Sequence, residues 1–170
     1  MHPNQTRLDD FYAAFSRLDA DTMVTFYAPD AQFHDEAFSL RGHEQISGMW
    51  RMLCDGTKTK GDVWKLAYSG IEADAQRGKA HWEADYCFGQ PGRLVHNVVD
   101  GVFQFDESGL ITHHYDRFSF WAWSRQALGA PGMLLGWTPF LRRKVEAQAA
   151  ANLQKYLSTR RTDTAQAVAA

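Results

Sequence analysis

The segment Ile111–Trp123, ITHHYDRFSFWAW, sets two histidines and an aspartate into an aromatic run. Imidazole and carboxylate are the side chains that move protons near neutral pH, so this is the first place to look for acid/base chemistry. In an extended strand, alternate residues face opposite sides. His114, Asp116 and Phe118 then share one face, and His113, Tyr115 and Arg117 the other. Residues two apart lie about 6.5 to 7 Å from each other on one face, so His114 and Asp116 can both address one small substrate, or Asp116 can orient the imidazole. The same residue types ligate metals. Neighbours on a strand point apart, however, leaving only His114 and Asp116 for one ion, with Asp35 as a third, and no metal is expected. A purely structural hydrogen-bonded pair is the competing reading. Alternation leaves open which face is inner, and one β-bulge in residues 111–118 would reverse it.

The elements that must position these groups are legible from periodicity. Leu8, Phe11, Phe15 and Leu18 recur at helical spacing over residues 5–18, and Asp21 can cap a shorter helix from Thr22 to Tyr27, stopped by Pro29. Residues 31–35 are extended. Ile46, Met49, Trp50 and Leu53 mark the buried stripe of a third helix, closed by CDGTKTKG. The period then becomes two: Trp64, Leu66 and Tyr68, then Trp82, Ala84, Tyr86 and Phe88, alternate with polar residues. GQPG at 89–92 is a hairpin turn. Residues 93–105 put Val95, Asn97, Val99, Gly101, Phe103 and Phe105 on their less polar face, and after DESG a last strand runs from Leu110 to Phe120. Helices followed by an antiparallel meander make an α+β domain. SRQALGAPG reads as a turn or two of helix ending at Gly129, and Thr138-Pro139 opens a helix with Leu141, Val145, Ala149, Leu153 and Tyr156 on one stripe. One domain over residues 1–157 is expected, with a disordered tail over 158–170.

Composition narrows the function. The chain has 170 residues, 45% of them apolar and 14% aromatic, and a formal charge of −2. That is a globular chain with no basic excess for nucleic acid and no apolar run long enough to span a bilayer. A cytoplasmic protein with neither nucleic-acid nor membrane partners is expected. Cys54 and Cys87 lack motif spacing and read as free thiols.

The order helix, helix, FYAPDAQFHDEAF, LRGHEQI, helix and meander, closing on VVDGVFQFDESGLITHHYDRF, resembles the nuclear transport factor 2-like superfamily, nearest its ketosteroid isomerase and SnoaL-like branch. The similarity covers about residues 5–120 and rests on YAPDAQFHD with Gly42 seven residues after the aspartate, the hairpin into VVDGVFQFDESG, and GLI. It implies a cone, in which a strongly curved mixed sheet wraps round the N-terminal helices over a deep apolar pocket, here with an extra C-terminal helix, usually in a homodimer. It also implies that the isomerase's general base falls on Asp35. The isomerase's second acid falls on Gly101 and its tyrosine on Phe11, so its oxyanion site is missing. Tyr12 lies about 100° round the helix and is a poor substitute.

The resemblance also fixes the parity of the sheet, turning His114, Asp116 and Phe118 inward. Asp35, His114, Asp116, Tyr86 and Asn97 would then converge in a pocket walled by Phe33, Trp50, Trp82 and Phe118, with Phe38 beside them. A carboxylate desolvated there becomes a competent base near neutrality. The expectation is a cofactor-independent isomerase, dehydratase or hydrolase acting on an apolar small molecule. Asp35 is its base, His114 and Asp116 are acid and orienting partner, and Tyr86 and Asn97 are positioners. The alternative is a non-catalytic module of the same fold that binds a hydrophobic ligand or another protein. FWAW and GMLLGW could close a cavity mouth or pack the C-terminal helix, and RRK at 142–144 reads as a solvated helix face.

Overall fold

The computed structural model describes residues 2–90 and 92–168, with side chains through Asp163. Pro91 of the GQPG turn lies outside the described residues, as do the last two residues of the expected tail. Three helices come first: α1 (Pro3–Ser16), α2 (Ala20–Val24) and, after two strands, α3 (His43–Lys58). The cap of α2 is Asp19, not Asp21: its Oδ1 accepts from the Thr22 N–H at 3.1 Å and its Oδ2 from the Thr22 hydroxyl at 2.6 Å. The helix stops at Val24 because the chain turns directly into β1 (Tyr27–His34). Pro29 sits in β1 where pairing with β6 is interrupted, between Tyr27 and Gln32, so its missing N–H breaks no ladder bond.

The remaining strands are β2 (Ser39–Arg41), β3 (Lys65–Ala73), β4 (Arg77–Phe88), β5 (Arg93–Phe105) and β6 (Ile111–Arg117), in one curved sheet of order β2-β1-β6-β5-β4-β3. The β1–β6 pair is parallel and the others are antiparallel, so the sheet is mixed. Its inner face is clean on β5, where Val95, Asn97, Val99, Gly101, Phe103 and Phe105 are all buried and the alternate residues exposed. Helix α1 lays Leu8, Phe11, Tyr12 and Phe15 on that face, and α3 adds Ile46, Met49 and Trp50. Leu53, expected in the same stripe, is 40% exposed.

Strand β6 carries the anticipated hazard. Gln104 pairs with His113 and Phe105 with Ile111, so Thr112 is an extra residue and the strand is bulged there. The bulge falls before His114. Both Ile111 and His114 are buried, three apart, and from His114 onward the inner parity holds. The strand ends at Arg117, earlier than Phe120, because the Ser119 hydroxyl caps a helix by accepting from the Ala122 N–H at 3.2 Å. FWAW is therefore the first turn of α4 (Phe120–Ala127), followed by α5 (Ala130–Leu135) and α6 (Pro139–Val168).

Helix α6 runs past Leu157 to Val168 where a disordered tail was expected. Ala, Gln, Arg and Lys propagate a helix cheaply, and partners on α3 hold it. The Tyr156 hydroxyl donates to Asp55 at 2.6 Å and Arg161 pairs with Glu44 at 2.5 Å. A side chain at Gly48 would meet Leu157 at 2.5 Å, so the glycine sets how closely the two helices pack. Among the described residues no helix is long and apolar enough to cross a membrane.

Candidate active site

His114 is fully buried, and both of its ring nitrogens are engaged. Nε2 lies 3.0 Å from Asp116 Oδ1, and Nδ1 lies 2.6 Å from the Tyr27 hydroxyl, which also accepts from the Trp50 indole N–H at 3.0 Å. The Tyr27 hydroxyl has one hydrogen to give, and His114 Nδ1 is placed to take it, which leaves Nε2 facing the Asp116 carboxylate. Phe103 packs against the ring at 4.1 Å between centroids and Phe33 meets it edge-on at 5.0 Å. The Trp82 indole N–H approaches the same Asp116 oxygen at 3.5 Å. His114 thus has no free nitrogen for a substrate. Asp116 is itself buried, and its Oδ1 is the oxygen that meets both His114 and Trp82.

Asp116 faces a feature not anticipated in the sequence. It pairs across the sheet with Gly101, where a Cβ would lie 3.0 Å from Asp116 Oδ1 and 2.9 Å from the Tyr12 hydroxyl. A donor and an acceptor therefore flank a position that only glycine leaves open. The Tyr12 hydroxyl is buried without a hydrogen-bond partner among the described residues, and burial with the Asp116 charge holds its pKa well above the usual phenol range. It is a neutral donor. The signal lay in the pairing of a glycine at the second-acid position with a tyrosine one residue along α1. Phe11 and Tyr12, about 100° apart on α1, both pack against Phe103 of β5.

Asp35 follows β1 directly, two residues beyond Phe33, which pairs with His114. Its Oδ1 accepts from the backbone N–H groups of Ala37 at 2.7 Å and Phe38 at 2.6 Å. Desolvation, helped by the Asp116 charge and opposed by those two hydrogen bonds, pushes its pKa up to about 7. Tyr86 is pushed up to about 12 by burial, accepts from the Trp123 indole N–H at 3.0 Å, and also feels the Asp35 charge. The Asp116 charge thus acts on Asp35, and the Asp35 charge on Tyr86, as the smallest of the influences on each. Asn97, 8% exposed on the inner face of β5, makes no side-chain hydrogen bond among the described residues.

The walls differ from a single deep apolar pocket. Phe33, Trp50 and Trp82 are core residues, with Phe33 on Trp50 at 5.6 Å and Phe15 on Trp82 at 5.4 Å. Tyr86 and Phe118 pack both against this core and against a second cluster of Val95, Phe120, Trp123, Ala127 and Leu141. A cavity of about 300 Å³ lies at Asp35, lined by Asp35, Ala37, Phe38 and Leu40, with His34, Ser39 and, from α6, Glu146 and Ala150, and not by Tyr86, Asn97, His114 or Asp116. That is the small end of ligand pockets. A larger groove of about 610 Å³ lies away from it, between the start of α1 and the Asp106–Gly109 turn. On the outer sheet face Asp100, His81, Glu83, His96 and Asp85 form a ladder with contacts of 2.8 to 3.3 Å. Among the described residues no three His, Cys, Asp or Glu side chains are grouped to hold a metal ion.

Comparison with known proteins matches the SnoaL-like domain family over residues 8–114. No curated protein matches. Similar solved structures include a hypothetical protein of ketosteroid isomerase-like fold from Catenulispora acidiphila, in complex with trimethylamine, at 18% identity and TM-score 0.60, covering 82% of this chain and 100% of that one. An LEH-like epoxide hydrolase of M. tuberculosis is 22% identical at TM-score 0.57, covering 78% and 94%. An NTF2-like protein of unknown function from Burkholderia pseudomallei is 18% identical at TM-score 0.61, covering 75% and 98%. The mixed curved sheet, the helices packed inside it and the family match over most of the chain agree, and the protein belongs to the SnoaL-like family of the nuclear transport factor 2-like fold.

Proposed function

We propose that this chain is a cofactor-independent acid/base enzyme acting on a small, mainly apolar molecule. One observation carries the reading: a carboxyl with a pKa of about 7 lines a cavity, one oxygen fixed by two backbone N–H groups, within electrostatic reach of a second buried carboxylate. A base with that pKa is half ionised at neutral pH and strong enough to take a proton from carbon or from an attacking water. Asp35 is the base. Tyr86, kept neutral by burial, and the unpaired Asn97 amide supply hydrogen bonds to the oxygen that gains charge. The Tyr12 hydroxyl, a neutral donor beside the Asp116 carboxylate that His114 contacts, stands on the acid side. Isomerisation, dehydration and water addition to a strained ring all need these two steps, and the likeness to an epoxide hydrolase supports the last.

The rival reading, a binding module for an apolar ligand or partner, draws on the filled aromatic half around His114. Turnover separates them. The protein, stripped of metal, is incubated with a panel of small epoxides and β,γ-unsaturated ketones, and products are measured. Conversion that Asp35→Asn lowers by about 10²- to 10⁴-fold supports the enzyme. Saturable binding with no product in any member supports the module.

A further inference from the structure

Helices α4 and α5 and the start of α6 lie outside the residues matched by the family and carry the most exposed large apolar side chains among the described residues. Met133 is 60% exposed, Leu134 69%, Trp137 74% and Phe140 64%, with Trp121 beside them at 44%. The patch is continuous: a side chain at Gly136 would meet Trp121 at 3.1 Å, and the Trp137 indole donates to the Leu134 carbonyl at 3.0 Å. Monomeric proteins rarely expose so large a set of neighbouring side chains without a partner.

Charge identifies the partner. Residues 121–145 contain four cations, Arg125, Arg142, Arg143 and Lys144, and no carboxylate, while the rest of the chain has fourteen cations against twenty carboxylates. Arg125 lies over the Trp121 ring at 4.8 Å. Arg142 pairs with Glu36 and covers Phe120 at 5.0 Å. Arg143 and Lys144 are exposed and follow Phe140 by three and four residues, so they share its side of α6, whereas Glu146 is turned about 120° away. Apolar side chains that protrude between cations match a surface with an apolar interior beneath anionic headgroups. A two-fold self-contact would bring the same cations together.

We propose that the α4–α5 segment with the first turns of α6 docks the protein on an anionic lipid bilayer, with Leu134, Trp137 and Phe140 inserted at the headgroup level. The expected absence of a membrane partner rests on span length, which surface docking does not require. The full chain is sedimented with phosphatidylcholine vesicles with and without phosphatidylglycerol, at low and high salt. Binding that requires the anionic lipid and weakens with salt is expected. R143Q/K144Q should lower partitioning about fivefold per cation removed, and L134S/W137S at least tenfold, with unchanged circular dichroism since these side chains are exposed. Failure to sediment with either vesicle overturns the proposal, as does equal binding to both. A concentration-dependent dimer that L134S/W137S dissociates, with no vesicle binding, would assign the patch to a second copy instead.

Discussion

Asp35 should leave a signature in stability as well as in turnover. In the unfolded chain its carboxyl titrates near 3.8, and in the folded protein burial holds it at about 7. The folded state therefore binds the Asp35 proton more tightly, and stability falls as pH rises between these values. The full cost of ionising Asp35 in place is about 4 kcal/mol above neutrality, of which about 2 to 3 kcal/mol accrues between about pH 5 and about pH 8. Asp35→Asn keeps an acceptor for the Ala37 and Phe38 N–H groups and never ionises. The variant should match the wild type in acid and exceed it by about 4 kcal/mol at about pH 8, while losing activity. Urea denaturation of both proteins across this range gives the difference directly. Parallel pH profiles, or a variant less stable at every pH, would show that the carboxyl is hydrated and that the raised pKa is not real.

Tyr27→Phe removes both the acceptor of the Trp50 indole and the partner of His114 Nδ1, leaving two buried polar groups unpaired. It should cost about 2 to 4 kcal/mol by urea denaturation, and a cost below about 1 would show that the tyrosine–histidine contact is not formed. Tyr12→Phe has the opposite sign, because it deletes a buried hydroxyl that has no partner among the described residues: a gain of about 1 kcal/mol is expected, together with a loss of about tenfold in turnover. Destabilisation would mean that the hydroxyl is satisfied within the protein. His81 has its pKa raised by hydrogen bonds to Asp100 and Glu83, so its contribution to stability is complete below the ordinary histidine pKa and is lost as pH rises through the raised one. His81→Gln should flatten the stability profile above about pH 6.5, and an unchanged profile would remove the outer ladder from the account.

Strands β4 and β5 were readable because their alternation is unbroken over long runs. Strand β6 was not, since the bulge at Thr112 moves Ile111 and His114 to the same side. Simple alternation from Ile111 would have turned His113 and Tyr115 inward, and only the family resemblance supplied the right parity. FWAW carries no period that distinguishes helix from strand, and Ser119 was the unread signal of a cap. The helix beyond Leu157 depends on Asp55 and Glu44, about a hundred residues away in sequence, which local composition cannot supply. The same separation hid the surroundings of His114, whose second nitrogen meets Tyr27, 87 positions earlier. Trp50 and Trp82 could be placed on buried stripes from periodicity, and Phe33 on the inner wall only with the family resemblance. Whether they line a space or fill it depends on how their volumes meet, which no spacing rule records.

Asp35 is the group on which the proposed chemistry turns, and its titration can be observed without knowing the substrate. Carbon NMR of protein labelled at the aspartate side-chain carboxyl, with the Asp35 signal assigned by its absence in Asp35→Asn, gives the ionisation midpoint in the native state. A midpoint at about 7 is predicted from its burial and its proximity to Asp116. A midpoint at the ordinary carboxylate value of about 4 would contradict the assignment of Asp35 as a base poised for neutral pH.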